Sequence, residues 1–223
     1  MFKKPILTID GPAASGKGTV AKKIAQDFNL YYLETGIFYR LLAFEFISLK
    51  TKPKNFKCFL KDLNINFLER TDTSKKNLYK VKVSNFASIL AQEKLIRNFV
   101  VKQQKTIINK YPSEYAGIIL DGRDCGTVIA PQADLKIFMT ASLSTRCERR
   151  LLQMKENSEV LNYEEVYNDL KTRDNRDKQR KLSPLIKAEG SSEIDTTNFS
   201  LQEMINVVKK LIFSKIPYLK IKI

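Results

Sequence analysis

The chain has no histidine and only three cysteines among its 223 residues. Without histidine no Ser-His-Asp or Cys-His constellation can form. Cys58, Cys125 and Cys147 stand apart, with none of the paired spacing of metal-ligating cysteines, so a zinc site is nearly excluded as well. Long apolar runs are also missing, and no segment approaches the roughly 20 residues that a membrane span needs. Met1-Phe-Lys-Lys-Pro5 leads straight into a strand-like run instead of the apolar core of a signal peptide, so the expected location is the cytoplasm. No internal repeat and no linker divide the chain. Its length suits one α/β domain with appended subdomains.

What the chain has in excess is positive charge, a net +15 with a pI near 9.6. Such a balance permits nucleic acid or an acidic membrane as partner, and equally a small polyanionic substrate. The lysines are scattered, densest in the polar stretches 50–61 and 70–82, and read as a solvated surface with an inserted peripheral module. The arginines instead cluster at helical spacing and beside carboxylates.

The most specific motif is Gly11-Pro-Ala-Ala-Ser-Gly-Lys-Gly-Thr19, between the apolar run Pro5–Ile9 and a helical pattern carrying Val20, Ile24 and Phe28 on one face. A loop that wraps a polyphosphate must bring backbone N–H groups close, which Gly11 and Gly16 allow. Lys17 then supplies a point charge, and the N-terminus of the next helix adds its dipole. The strict pattern has Ser or Thr directly after the lysine. Here Gly18 intervenes before Thr19, the variant that resembles nucleoside-monophosphate kinases.

Strand-like runs at Pro5–Ile9, Tyr31–Leu33, Gly117–Leu120, Leu135–Thr140 and Glu193–Thr196 alternate with helical patterns, which predicts a parallel sheet with helices on both faces. Ser200-Leu-Gln-Glu203 is a capping box opening a last, purely structural helix. Ligands of such sheets bind beyond the carboxyl ends of the strands. Three clusters fall there. Asp121-Gly-Arg-Asp124 offers an aspartate suited to organise Mg²⁺ and its waters, with Thr19 as its companion. It also offers Arg123 for a phosphate and Asp124 to accept from a base or sugar, although Asp-Gly alone signals an ordinary turn. Arg173, Arg176, Asp177 and Arg180 recur at i, i+3, i+4 and i+7. Arg146, Arg149 and Arg150 repeat the pattern on the preceding helix, and the stretch Glu156–Leu161 between them reads as the hinge of a lid over phosphates. An ion-paired, solvated helix face is the competing explanation. Thr35, Tyr39 and Arg40, after the second strand, suit an acceptor phosphate and its base or sugar, or a plain turn and surface helix.

These segments, with Ser84-Asn-Phe-Ala-Ser88 and Arg97, match in order from about Pro5 to Leu211, and the chain resembles the bacterial cytidylate kinases. The resemblance implies a P-loop NTPase-type parallel sheet flanked by helices, with core 1–37, 95–143 and 182–223. It further implies an inserted monophosphate-binding subdomain, 38–94, with a small antiparallel sheet, and a short lid, 144–181. It implies ATP as donor with Mg²⁺, CMP or dCMP as acceptor, and a monomer with neither a specific nucleic-acid partner nor a membrane. By carry-over, residues 11–19 (Gly11, Pro12, Ala13, Ala14, Ser15, Gly16, Lys17, Gly18 and Thr19) with Arg146 and Arg150 hold ATP. Lys17, Arg123, Arg173 and Arg180 serve the transfer. Thr35, Tyr39, Arg40, Ser88, Arg97, Asp124 and Asp177 bind the acceptor, and Thr19 and Asp121 hold the metal through water.

Two positions depart from the family pattern: Glu34 replaces an aspartate, and Tyr79 falls where an arginine is usual. If the segment is extended, Lys80 and Lys82 share a side and Lys80 stands in for that arginine. Alternatively Val81 and Val83 pack inward and both lysines are solvated. Two rival functions are a uridylate-accepting kinase, against which Asp124 argues, and a basic nucleic-acid-binding protein, which lacks the expected interleaving of aromatic and basic residues.

Overall fold

The computed structural model describes residues 4–49, 55–62, 75–156 and 162–222. Contacts divide the chain into two compact units, one built from the residues up to Thr35 and from Lys105 onward, the other from Gly36–Gln104.

The first unit contains a parallel sheet of β1 (Ile6–Asp10), β2 (Leu30–Glu34), β3 (Gly117–Gly122), β4 (Leu135–Thr140) and β5 (Ser192–Asp195), in the order β2-β3-β1-β4-β5. All five strands stand within a residue or two of the runs read from the sequence. The central strands are continuous apolar runs because both faces are covered. Helix α1 (Lys17–Asp27) packs Val20, Ala21, Ile24 and Ala25 with Leu7, Ile9, Ile119, Ile137 and Met139 of the sheet. The C-terminal helix Leu201–Lys215 adds Met204, Ile205, Val208 and Ile212 to the same core. That last helix opens on the expected capping box, with the Ser200 hydroxyl accepting from the Glu203 N–H and the Glu203 carboxylate accepting from the Ser200 N–H. Register places Asp10 beside Gly122 and Glu34 beside Asp121, so the chemistry-bearing residues emerge together at the carboxyl edge.

The second unit is helical among its described residues: α2 (Gly36–Ser48), α3 (Phe56–Asp62), α4 (Lys75–Leu78), α5 (Val81–Leu90) and the first part of α6 (Lys94–Lys110). The small antiparallel sheet implied for residues 38–94 has no strand among them. Residues 50–54 and 63–74 lie outside the described residues, as do residues 157–161 of the expected lid hinge.

Of the two readings of the segment after Tyr79, the structure excludes the extended one and agrees with the solvated lysines of the other. The segment after Tyr79 is not extended: Lys80 is the N-cap of α5, and Val83, Ser84, Ala87, Ser88 and Leu90 form a buried stripe that packs against α2. That stripe has a period near 3.6, and burying it outweighs the strand preference of two valines. Lys80 and Lys82 are both exposed.

Candidate active site

In the first unit the chain leaves β1 at Asp10 and turns through residues 11–16 into α1. Gly16 takes the left-handed conformation, φ 88°, as N-cap of that helix, a conformation that favours glycine. Lys17 folds back over the loop, and its ammonium donates to the Pro12 carbonyl at 3.0 Å while only 7% of the residue is exposed. Burial first, and then the positive charges of Arg123 and Arg173, push the Lys17 ammonium down to about 7, against the opposing pull of Asp121 and Asp177.

Beside the loop, two further helices, α7 (Leu143–Glu156) and α8 (Tyr163–Gln179), deliver the arginines. Buried Arg146 donates to the Ala13 carbonyl (3.2 Å) and to the Asp174 carboxylate (2.6 Å). Arg149 donates to the Ser15 carbonyl and to the carbonyl and hydroxyl of Thr196. These two arginines therefore hold the loop itself through its backbone. Arg150 is half-buried and donates to Gln153, one turn further on.

At the end of β3, Asp121-Gly-Arg-Asp124 leads into a short π-helix, Cys125–Ile129, with Asp124 as its N-cap. A chain of alternating charge runs from it: Arg180 stands 3.8 Å from Asp124 and 3.7 Å from Asp177, and Asp177 in turn accepts from Arg123 at 2.9 Å. Burial pushes the Asp177 carboxyl up, but Arg123, Arg173 and Arg180 together outweigh it and hold the group below the usual carboxylate range. The guanidiniums are thus gathered by carboxylates, a state in which an incoming phosphate exchanges one anionic partner for another. Asp121 is buried and accepts from the Tyr32 hydroxyl at 2.9 Å, while Thr35 donates to the Asp121 carbonyl.

The second unit carries its own polar cluster. Arg40, on α2, donates to the Leu78 carbonyl (3.0 Å) and to the Ser84 hydroxyl (2.6 Å), with its guanidinium 4.5 Å from the centre of the Tyr79 ring. Buried Arg97, on α6, donates to the Ala91 carbonyl and lies 5.5 Å from the Tyr39 ring centre. Ser88 is buried and donates to the Asn85 carbonyl.

The family profile described as "Cytidylate kinase" matches residues 7–214. A cytidylate kinase of Clostridium tetani (strain Massachusetts / E88) is 36% identical over 95% of this chain and 95% of its own length. One of Bartonella tribocorum (strain CIP 105476 / IBS 506) is 38% identical, covering 90% of this chain and 91% of its own. The chain belongs to the cytidylate kinase family. Among solved structures, that of TT1252 from Thermus thermophilus aligns over 96% of this chain and 99% of its own with a TM-score of 0.53. At 16% identity this bears on the fold alone.

In the first unit Arg123, Asp177, Arg180 and Asp124 form one chain of charge pairs, and Lys17 lies within the field of Arg123, Arg173, Asp121 and Asp177. The second gathers Arg40 with Tyr79 and Ser84, and Arg97 with Tyr39. Thr19 is exposed, in the first turn of α1. Four positioning side chains escape a reading by motif. Asp174 anchors Arg146, and Tyr32 holds Asp121. Tyr79 faces Arg40. Asp10 accepts the N–H groups of Cys125 (2.9 Å) and Gly126 (2.7 Å), fixing the start of the π-helix next to Asp124. Burial raises the Asp10 carboxyl to about 6 even with these two donors. Only Asp174 leaves a sequence signal, since it stands three residues before Asp177 on the same helix.

Proposed function

We propose that this chain transfers the γ-phosphoryl group of ATP to the phosphate of CMP or dCMP, giving ADP and CDP or dCDP, in pyrimidine nucleotide metabolism. The observation that carries the reading is the buried Lys17 ammonium folded over a phosphate loop within the field of Arg123 and Arg173, in a chain of the cytidylate kinase family. A site with so many fixed cations stabilises charge on a transferring phosphoryl group without having to reorganise at the moment of reaction.

The acceptor phosphate is already an anionic nucleophile, so no side-chain base is needed. Catalysis reduces to positioning, charge neutralisation and exclusion of water. Residues 11–19 hold the donor phosphates, with Arg146 and Arg150 toward ATP. Lys17, Arg123, Arg173 and Arg180 neutralise the charge in flight, and Arg40, with Thr35, holds the acceptor phosphate. Asp124 accepts from the cytosine amino group, Arg97 and Ser88 donate to its ring acceptors, Asp177 meets the sugar and Tyr39 packs nearby. Uracil would turn a carbonyl toward the Asp124 carboxylate and leave a buried mismatch.

The oxygen donors fit a Mg²⁺ ion that keeps its waters: a Cβ at Gly18 would stand 2.8 Å from the Asp121 carboxylate, so the glycine gives that group room at the start of α1. Thr19 and Asp121 would hold the ion through water, where it supplies charge neutralisation to the donor phosphates. The chain is proposed to act as a cytoplasmic monomer, its domain organisation being core, acceptor subdomain 38–94 and lid 144–181. Among the described residues no helix is long and apolar enough to cross a membrane. Initial rates with ATP and each of the four ribonucleoside monophosphates test the proposal. CMP should give the highest kcat/KM, and a higher value for UMP or AMP would refute it.

A further inference from the structure

We infer that Tyr79 is a positioning residue for the acceptor phosphate, its ring holding the Arg40 guanidinium in the orientation in which that arginine meets a nucleoside monophosphate. The inference rests on the proposed role of Arg40 as a phosphate clamp. Arg40 leaves the first turns of α2 and reaches a socket made by one short stretch of chain: the Leu78 carbonyl, the Tyr79 ring and the Ser84 hydroxyl. The socket is closed on itself, because the Ser84 hydroxyl also meets the Tyr79 carbonyl at 3.3 Å. The Leu78 and Ser84 acceptors take one terminal nitrogen of the guanidinium, and the ring lies against the cation.

A long arginine side chain has many rotamers, and part of that freedom must be surrendered when it grips a phosphate. A socket that orders the side chain beforehand lowers that cost. The choice of a ring matters electrically. An aromatic ring attracts a cation to its face, and the Tyr79 ring holds the Arg40 guanidinium 4.5 Å from its centre by that attraction. Tyr79 thus acts on an existing arginine instead of adding a second cation. Lys80 does not take that part, since it caps α5 from an exposed position.

The test is steady-state kinetics with ATP and CMP on the full chain carrying Tyr79→Leu, Tyr79→Gln, Tyr79→Phe, Lys80→Ala or Arg40→Ala, each checked by thermal melting. Loss of the ring in Tyr79→Leu should raise KM for CMP by about 3- to 10-fold, with KM for ATP and kcat within about twofold of the parent. Tyr79→Phe should restore KM for CMP to within about twofold, and Lys80→Ala should leave it unchanged. If Tyr79→Leu does not fold, Tyr79→Gln carries the same expectation. A rise with Arg40→Ala but none with the ringless variants would overturn the positioning role while leaving the clamp in place. An unchanged KM for CMP in Arg40→Ala would overturn the clamp and the inference together. A fall in kcat and melting temperature with no change in KM for CMP would make Tyr79 merely structural and so refute the inference.

Discussion

Nucleotide binding should carry a proton into the site. Lys17 is buried, and its ammonium is pushed down to about 7 by desolvation and by Arg123 and Arg173. With that value only about one lysine in ten is charged at pH 8, and a bound polyphosphate, bringing several negative charges against the ammonium, restores the charged form. Binding of ATP at pH 8 should therefore take up a proton, at most one per site, and affinity should fall as pH rises above about 7. The same group has a folded-state pKa below its ordinary value of 10.5, so the unfolded chain binds more protons between about 7 and 10.5. Its contribution to ligand-free stability accordingly rises with pH across that window, by up to about 1.4 kcal/mol per unit. Calorimetric titration with metal-free ATP at pH 8, in two buffers of different ionisation enthalpy, measures the uptake directly. Lys17→Met is the control and should abolish it. No uptake in the parent protein, or equal uptake in Lys17→Met, would refute the reasoning.

Asp124→Asn should lower kcat/KM for CMP far more than for UMP, because an amide can donate to the uracil carbonyl that a carboxylate repels; the ratio of the two rates is the readout. Asp174→Ala strips the buried Arg146 of its 2.6 Å carboxylate partner and should cost about 3–5 kcal/mol in urea unfolding, whereas Arg146→Met with Asp174→Leu should cost much less. The +15 charge should not create a nucleic-acid track, so an oligonucleotide titration in about 150 mM salt should give no Kd tighter than the ~10⁻⁴–10⁻⁶ M of non-specific binding.

The sheet was legible because buried parallel strands are apolar throughout and β1 is followed at once by a loop with a single physical use. The arginine clusters at 146–150 and 173–180 were legible as groups, but not in their division of labour. Helical spacing says which residues share a face, yet it cannot tell that Arg146 and Arg149 grip loop carbonyls while Arg123 and Arg180 pair with Asp177. The extended alternative at Tyr79–Val83 has a local cause. Two valines alternating with lysines mimic a strand, and the stripe that makes the segment a helix begins only at Val83 and Ser84. The roles of Tyr32 and Asp10 were invisible for a different reason, as was the contact of Tyr79 with Arg40, since each acts on a residue distant in sequence through a contact that no motif encodes.

Transfer of one phosphoryl group between two nucleotides can be followed at the phosphorus itself. With γ-labelled ATP and CMP, label should appear in the β-phosphate of CDP in step with ADP formation, and Lys17→Ala should lower the rate by on the order of 10² or more. Label released as inorganic phosphate at the same rate with or without CMP, or near-normal transfer by Lys17→Ala, would contradict it.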